Sequence, residues 1–319
     1  MRAIAKAQPN IALIKYWGKS DRGKNLPAIS SVSITLDSLW TSMSVRFDDA
    51  IDGDTLAVNG ESAPDMLGRV SACLDQVAGG DRPAARVASE CNFPIGAGLA
   101  SSASAFAALV VAADKAAGRN LDRLELARLA GATSGSAARS LYGGFVELTA
   151  GEDQIDVRQL LARDAWPLEI IVAVTEEAAK PVGSGVAMNR SADTSPFYSS
   201  WLAQQDADLM VARQAIVNRD FEKLAAAAEH NCLKMHSVMW TSRPPIVYWN
   251  KATLSCMERI RAMQAAGHAV FFTIDAGPQV KAVCLPESAS CVMEALEETA
   301  GVVSTMRSGL GSGARLTEA

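Results

Sequence analysis

Apolar residues recur at helical spacing through Phe106, Leu109, Val110, Ala113 and Ala117, which predicts a helix from about Ser101 to a stop at Gly118. Leu67, Val70, Leu74 and Val77 predict an earlier helix that stops at Gly79-Gly80, and 121–129 begins another directly after Gly118. Alternation puts Met43, Val45 and Phe47 on one face of a strand over 41–47, and 31–36 reads the same way. Further strands are predicted over 3–7, 84–89 and 145–148, with Asn59-Gly60 as a hairpin turn after 55–58.

In the second half, 168–174 is a continuous apolar run of strand length, which predicts a central strand. Helices follow over about 197–217, 220–236 and 250–266. The second carries Phe221, Leu224, Ala225, Ala228 and Cys232 in register, and the third Leu254, Met257 and Ile260. Strands over 269–274 and 279–285, a helix over 287–300 and a strand over 302–307 complete the order. Strand, helices, two strands, helix, strand is an α+β layout with antiparallel pairing. The polar, loop-like stretch 151–166 marks a boundary, giving domains over 1–167 and 168–319. The glycine-rich tail 308–319 reads as a fraying end.

Composition narrows the function. At 319 residues with a formal net charge of −5, the chain can bury a full core, and a general nucleic-acid or anionic-membrane surface is disfavoured. An anionic small substrate is not, since local Lys and Arg decide that. The N-terminal segment lacks the apolar run of a signal peptide, and no stretch approaches the roughly 18 apolar residues of a membrane span. Six scattered cysteines, none in Cys-x-x-Cys, read as free thiols in a reducing cytosol. Among the three histidines, His230 and His236 stand six apart on one predicted helix, too far round to share a metal.

Four stretches carry candidate chemistry. Pro94-Ile95-Gly96-Ala97-Gly98-Leu99-Ala100-Ser101-Ser102-Ala103-Ser104 runs a glycine-rich turn into a helix start, where free backbone N–H groups and the helix dipole favour a bulky anion. It is neither the Gly-Lys-Ser/Thr phosphate loop nor Gly-x-Gly-x-x-Gly, and an ordinary tight strand-to-helix turn has the same composition. Asn10-Ile11-Ala12-Leu13-Ile14-Lys15-Tyr16-Trp17-Gly18-Lys19 turns abruptly from apolar to basic, as in chain leaving a core to present cations or in a solvated loop whose aromatics pack. Thr133-Ser134-Gly135-Ser136-Ala137-Ala138-Arg139 offers hydroxyls and one guanidinium to a phosphate or carboxylate, or is simply a packed helix with serine caps. Asp275 ends an apolar strand before Ala276-Gly277-Pro278, either as a delivered catalytic carboxylate or as an Asx-type turn residue.

In order and spacing these words, with Asn92-Phe93-Pro94 and Thr194-Ser195-Pro196-Phe197-Tyr198, resemble the mevalonate diphosphate decarboxylases over nearly the whole chain. That family belongs to the GHMP kinase superfamily of galactokinase, homoserine kinase and mevalonate kinase. Lys-Tyr-Trp-Gly-Lys and Asp-Ala-Gly-Pro are the specific words; the glycine-rich turn is shared by the superfamily. The resemblance implies a two-lobed α+β GHMP-kinase-like fold, with an N-terminal ribosomal S5 domain 2-like lobe, a C-terminal ferredoxin-like α/β sandwich lobe and the active site in the cleft. It implies ATP-dependent decarboxylation of 5-diphosphomevalonate to isopentenyl diphosphate in the mevalonate pathway, with ATP and Mg2+, a cytoplasmic location and a homodimer.

On this resemblance Gly96, Gly98, Leu99, Ala100, Ser101 and Ser102 hold the nucleotide phosphates, with Ser89 and Ser184 also on the nucleotide side. Ser102 stands near Mg2+, which is carried mainly by the phosphates. Tyr16, Lys19, Ser134, Ser136, Arg139 and Met188 surround the substrate, and Asp275, Lys15 and Arg139 are catalytic, Asp275 facing the tertiary 3-hydroxyl. Several bacterial members have Ser-Arg where this chain has Ser184-Gly185, and that arginine reaches the substrate diphosphate; Arg190 is the candidate to compensate. Other members of the fold decarboxylate the monophosphate or stop at the 3-phosphate. The kinase-only ones do not keep the aspartate–lysine pair, so Lys15 with Asp275 favours decarboxylation. An inactive nucleotide-sensing protein of this fold would show erosion of Lys15, Ser102, Arg139 and Asp275, and all four stand.

Overall fold

A computed structural model describes residues 2–94, 98–178 and 180–317, so Gly96 of the glycine-rich turn lies outside the described residues. The first half runs β1 (Arg2–Ala7), β2 (Asn10–Ile14), β3 (Lys19–Asp21), β4 (Leu26–Pro27), β5 (Ser31–Thr35), β6 (Thr41–Phe47), β7 (Thr55–Val58) and β8 (Glu61–Ser62). It continues through α1 (Pro64–Ala78), β9 (Ala85–Cys91), α2 (Ser101–Ala117), α3 (Arg123–Thr133), β10 (Phe145–Thr149) and β11 (Asp156–Leu161). The second half holds β12 (Glu169–Val174), α4 (Ser184–Thr194), α5 (Tyr198–Asn218), α6 (Phe221–Trp240) and α7 (Lys251–Ala265). It closes with β13 (Val270–Thr273), β14 (Val280–Cys284), α8 (Ala289–Glu297), β15 (Ser304–Ser308) and β16 (Arg315–Thr317).

The strands form a six-stranded sheet, β16-β1-β6-β9-β7-β8, and two four-stranded sheets, β11-β10-β5-β2 and β13-β14-β12-β15, while β3 and β4 pair with each other. Pairing is antiparallel except where β7 runs beside β9. Helix α2 lies across β1 and β6 and also packs on α1 and α3. It is therefore buried almost all round, not along one stripe; small alanines at 107, 108, 112, 113 and 116 let its neighbours come close. Its ends follow from backbone freedom: Ala100 and Gly118 both adopt left-handed conformations, at φ 56° and 68°. At the β7–β8 turn Asn59 and Gly60 both have positive φ, 50° and 88°, as a tight hairpin needs. A core cluster joins Ile11, Leu13, Val32 and Phe145 of the first half to Leu168, Ile170, Val172 and Phe271 of the second, so the two halves share buried contacts.

Four sequence expectations are corrected. The tail does not fray: Leu310 is buried, Gly311 N–H donates to the Thr35 carbonyl at 2.7 Å, and β16 pairs with β1, Ile4 opposite Thr317. Its glycines serve close approach, since a Cβ on Gly311 would sit 2.0 Å from the Leu36 carbonyl oxygen. The stretch 151–166 contains β11, an edge strand with a single buried residue, Val157, and so without an apolar pattern. Helix α4 stands where no helix was expected, because its two glycines-and-serine start and an exposed Val186 mask the buried pair Ala187 and Met188. Leu254 is 49 % exposed, facing away from the side on which Met257 and Ile260 are buried.

Candidate active site

Strand β2 delivers Lys15 into the interior, not to solvent. Its side chain is 1 % exposed, and its ammonium donates to the Ala12 carbonyl at 2.8 Å and to Asp275 Oδ1 at 2.7 Å. The backbone is held from the helices: Lys15 N–H donates to Asn231 Oδ1 on α6, and Gln205 on α5 donates to the Lys15 carbonyl. Asp275 is fixed equally firmly, because Ile274 N–H meets Cys232 Sγ at 3.2 Å and the Ile274 carbonyl meets His236 Nε2 at 3.2 Å. Both partners lie on α6, one turn apart. The Asp275 side chain keeps 23 % exposure, toward the cleft. Burial opposes its ionisation, but Lys15, Lys281 and Arg139 outweigh burial and hold the carboxyl below the usual carboxylate range.

Arg139 sits on a short 3-10 turn, 2 % exposed. Its guanidinium bonds Ser33 Oγ at 3.0 Å, Ser31 Oγ at 2.6 Å and Asn10 Oδ1 at 3.1 Å, all neutral acceptors. Burial pulls its pKa down to about 10, partly offset by Asp275, so it remains a cation at neutral pH. A buried cation with neutral partners suits an incoming carboxylate. Asn10 also donates to the Ser136 carbonyl and Ser140 Oγ, which orders the serine segment, and Ser134 Oγ lies 3.3 Å from Ser102 Oγ. The Tyr16 hydroxyl is buried without a hydrogen-bond partner among the described residues, and burial pushes its pKa up to about 12, so it stands ready as a neutral donor.

These groups line one cavity of about 640 Å³ between the halves. Lys15, Tyr16, Lys19, Ser134, Ser136, Arg139, Ser184, Met188, Asp275, Gly98, Ala100, Ser101 and Ser102 all stand on its wall. Leu99 does not: its side chain is buried in the core shared by the halves. Ser89 lines an adjoining, mostly apolar slot of about 230 Å³ with Leu56, Val58, Val70 and Phe106, and Ser101 and Ser102 border both spaces.

Three cations escaped the sequence reading. Arg69 on α1 borders both spaces, held by a bond to the Thr133 carbonyl and by the Phe106 ring 4.8 Å away. With burial and Arg22 it lowers the pKa of Lys19, the mark of cations crowded around space for an anion. Lys180 bonds Ser184 Oγ and the Ala276 carbonyl, and burial lowers its pKa to about 8. Lys281 lies behind Asp275, with Nζ 3.7 Å from Oδ2. A lone lysine in the apolar strand 280–284 was the available signal, since buried lysines need a partner. Gly185 lines the cavity with open space around it, while Arg190 is absent from the described wall. That wall carries Lys15, Lys19, Arg69, Arg139 and Lys180 against one carboxylate, Asp275, in a chain of net charge −5.

A two-lobed α+β architecture with a cationic cleft beside a glycine-bounded helix start defines a GHMP-type phosphoryl-transfer fold. Residues 7–159 match the family model for the diphosphomevalonate decarboxylase-like N-terminal domain, and 170–313 match the mevalonate 5-diphosphate decarboxylase C-terminal domain. The diphosphomevalonate decarboxylase of Candida albicans is 34 % identical, over 86 % of this chain and 82 % of that one. The human enzyme of that name is also 34 % identical, over 85 % and 74 %. Mevalonate diphosphate decarboxylase from Staphylococcus aureus superposes with a TM-score of 0.93 at 34 % identity, covering 99 % of this chain and 98 % of that one. MDDEF in complex with MVAPP, AMPPCP and magnesium also gives 0.93 at 34 % identity, covering 100 % and 99 %. The chain belongs to the diphosphomevalonate decarboxylase family.

Proposed function

We propose that this chain converts 5-diphosphomevalonate and ATP to isopentenyl diphosphate, ADP, phosphate and carbon dioxide. The observation that carries the reading is the Lys15–Asp275 pair on the wall of a cleft whose other described charged groups are all cations. In this reading residues 1–167 form the nucleotide-side lobe and 168–319 bring the base, β16 being returned to the first lobe's sheet. The apolar slot has the character needed by a nucleobase, and Ser101 and Ser102 at its border support a phosphate position at the α2 N-terminus. Met188 and Tyr16 flank the substrate, while Lys19, Arg69 and Lys180 provide the charge that suits a diphosphate better than a monophosphate, despite Gly185.

Asp275 accepts or orients the proton of the tertiary hydroxyl as O3 attacks the γ-phosphorus; a placed base typically contributes about 10²–10⁴-fold. Lys15 keeps Asp275 ionised and offsets charge on the transferring phosphoryl group. Departure of phosphate from C3 leaves a cationic centre. The substrate carboxylate, oriented by Arg139 and its fixed fork, then releases carbon dioxide, and its electron pair forms the new double bond. Among the described residues no three His, Cys, Asp or Glu side chains cluster as a metal cage. The donor set therefore fits a Mg2+ held mainly by phosphates and water near the Ser102 hydroxyl. Bound there, such an ion would neutralise phosphate charge.

All six cysteines are free, which supports a reducing, cytoplasmic setting, and no described helix is long and apolar enough to cross a membrane. A homodimer belongs to the same proposal and is read by light scattering. The test of function is one coupled assay with mono- and diphosphorylated mevalonate. ADP and carbon dioxide should appear together, fastest with the diphosphate, and Asp275→Asn should lose at least about 10²-fold in turnover while still binding nucleotide. ADP without carbon dioxide would overturn the reaction, and an active Asp275→Asn would overturn the assignment of the base.

A further inference from the structure

Lys281 is 1 % exposed on β14, with Val280, Ala282 and Val283 around it in the chain. Its place is set by the sheet register, opposite Val172 on one side and Thr273 on the other. Among the described residues the ammonium meets three oxygens. It lies 3.7 Å from Asp275 Oδ2, the oxygen that Lys15 does not bond, and donates to the Gly98 carbonyl at 3.0 Å and the Gln279 carbonyl at 3.3 Å. Gly98 belongs to the glycine-rich turn and Asp275 to the opposite half. The two turns also touch, because a Cβ on Gly98 would lie 3.1 Å from the Gly277 Cα.

We infer that Lys281 is a positioning residue that couples the nucleotide-binding turn to the general base, pinning the Gly98 carbonyl and Asp275 with one ammonium. The inference rests on the reading of Asp275 as base and of the Gly98 turn as the nucleotide side. A purely structural role is poorly served by this residue. Asp275 is already matched by Lys15, so a second buried lysine adds charge that an apolar residue of similar length would avoid. That charge is useful when the reaction brings anions to both ends of the contact.

The ionisable groups facing Asp275 come from five places: Lys15 after β2, Lys281 on β14, Arg139, Lys180 ahead of α4, and the α6 pair Cys232 and His236. Burial and the neighbouring cations keep His236 neutral down to about pH 3, so near neutrality the charge state of the base is set by the cations working against its own burial. A base works ionised and loses function as pH falls through its pKa. Each nearby cation lowers that pKa, so removing Lys281 moves the acid limb of activity to higher pH.

The experiment compares wild type, Lys281→Met, Lys281→Gln and Asp275→Asn as complete proteins. It follows kcat/KM for diphosphomevalonate between about pH 4 and 8, and the affinity for Mg-bound β,γ-methylene-ATP by calorimetry. Lys281→Met should raise the acid limb by about one pH unit and weaken the nucleotide analogue several-fold. Lys281→Gln, which keeps a donor for Gly98 but no charge, should raise the limb with nucleotide affinity closer to wild type. A folded Lys281→Met that leaves either quantity unmoved overturns the coupling, as does a change confined to thermal stability. Should Lys281→Met fail to fold, an unmoved limb in Lys281→Gln overturns it alone. Turnover surviving in Asp275→Asn refutes the base reading instead, whatever the lysine variants do.

Discussion

A charge removed from water is unfavourable unless something answers it, and around Asp275 three buried cations share a single carboxylate. Lys15, Arg139 and Lys281 are each at most 2 % exposed. The imbalance suits the carboxylate and phosphoryl groups of the reactants, whose charge would offset the excess of cations on the cleft wall. His236 shows the opposite solution. Wholly buried, with Nε2 at the Ile274 carbonyl and its ring 4.5 Å from Trp249, it is neutral, and burial depresses its pKa to about 3. Unfolding frees it to bind a proton near its ordinary 6.5, so its contribution is intact above that pH and drains as pH falls toward 3. The slope is at most about 1.4 kcal/mol per pH unit. Urea titrations should show stability falling over that window, with a shallower fall in His236→Gln; identical slopes would remove His236 from the account.

At the scale of elements, the glycine-rich turn and the Asp-Ala-Gly-Pro turn are held against each other where Gly98, at φ 83°, touches Gly277. Gly98→Ala meets both a left-handed backbone and a 3.1 Å contact. It should raise KM for ATP about tenfold or more with the fold retained by circular dichroism; wild-type kinetics would show that the turn needs neither feature. Elements whose boundaries are written locally were legible beforehand. The start of α2 at Ser101 and its stop at Gly118, the Asn59-Gly60 hairpin and strand β12 each depend on turn chemistry or a long apolar run. Helix α3 was legible as well, short by two residues at its start because Asp122 is its cap, closing a box with Glu125. Elements stabilised from outside were not. Strand β11 exists because β10 offers it a ladder, and α4 because α6 and the residues near Trp17 cover Ala187 and Met188. The site divides the same way. Lys15, Arg139 and Asp275 stand in distinctive words, whereas Arg69, Lys180 and Lys281 acquire meaning only when folding brings them to one cavity or carboxylate.

The whole molecule is closed by the segment the sequence reads as loose. Leu310 bridges to Leu36, Ala314 N–H donates to the Ser140 carbonyl, and β16 covers the outer edge of β1. Deleting 309–319 exposes that edge and removes the buried Leu310 side chain, worth about 1.5–3 kcal/mol on burial. The truncated protein should unfold at a lower urea concentration and lose activity, since Ser140 and Asn10 of the same network orient Arg139. An unchanged midpoint would mean that the tail only decorates the sheet. The pairing also has a bearing on biogenesis. As the chain leaves the ribosome, β1 (Arg2–Ala7) emerges long before its outer partner β16 (Arg315–Thr317), so until β16 follows, the first lobe displays an open strand edge. Such an edge recruits other strands, so the growing chain is most open to self-association until 315–317 have emerged and paired with β1.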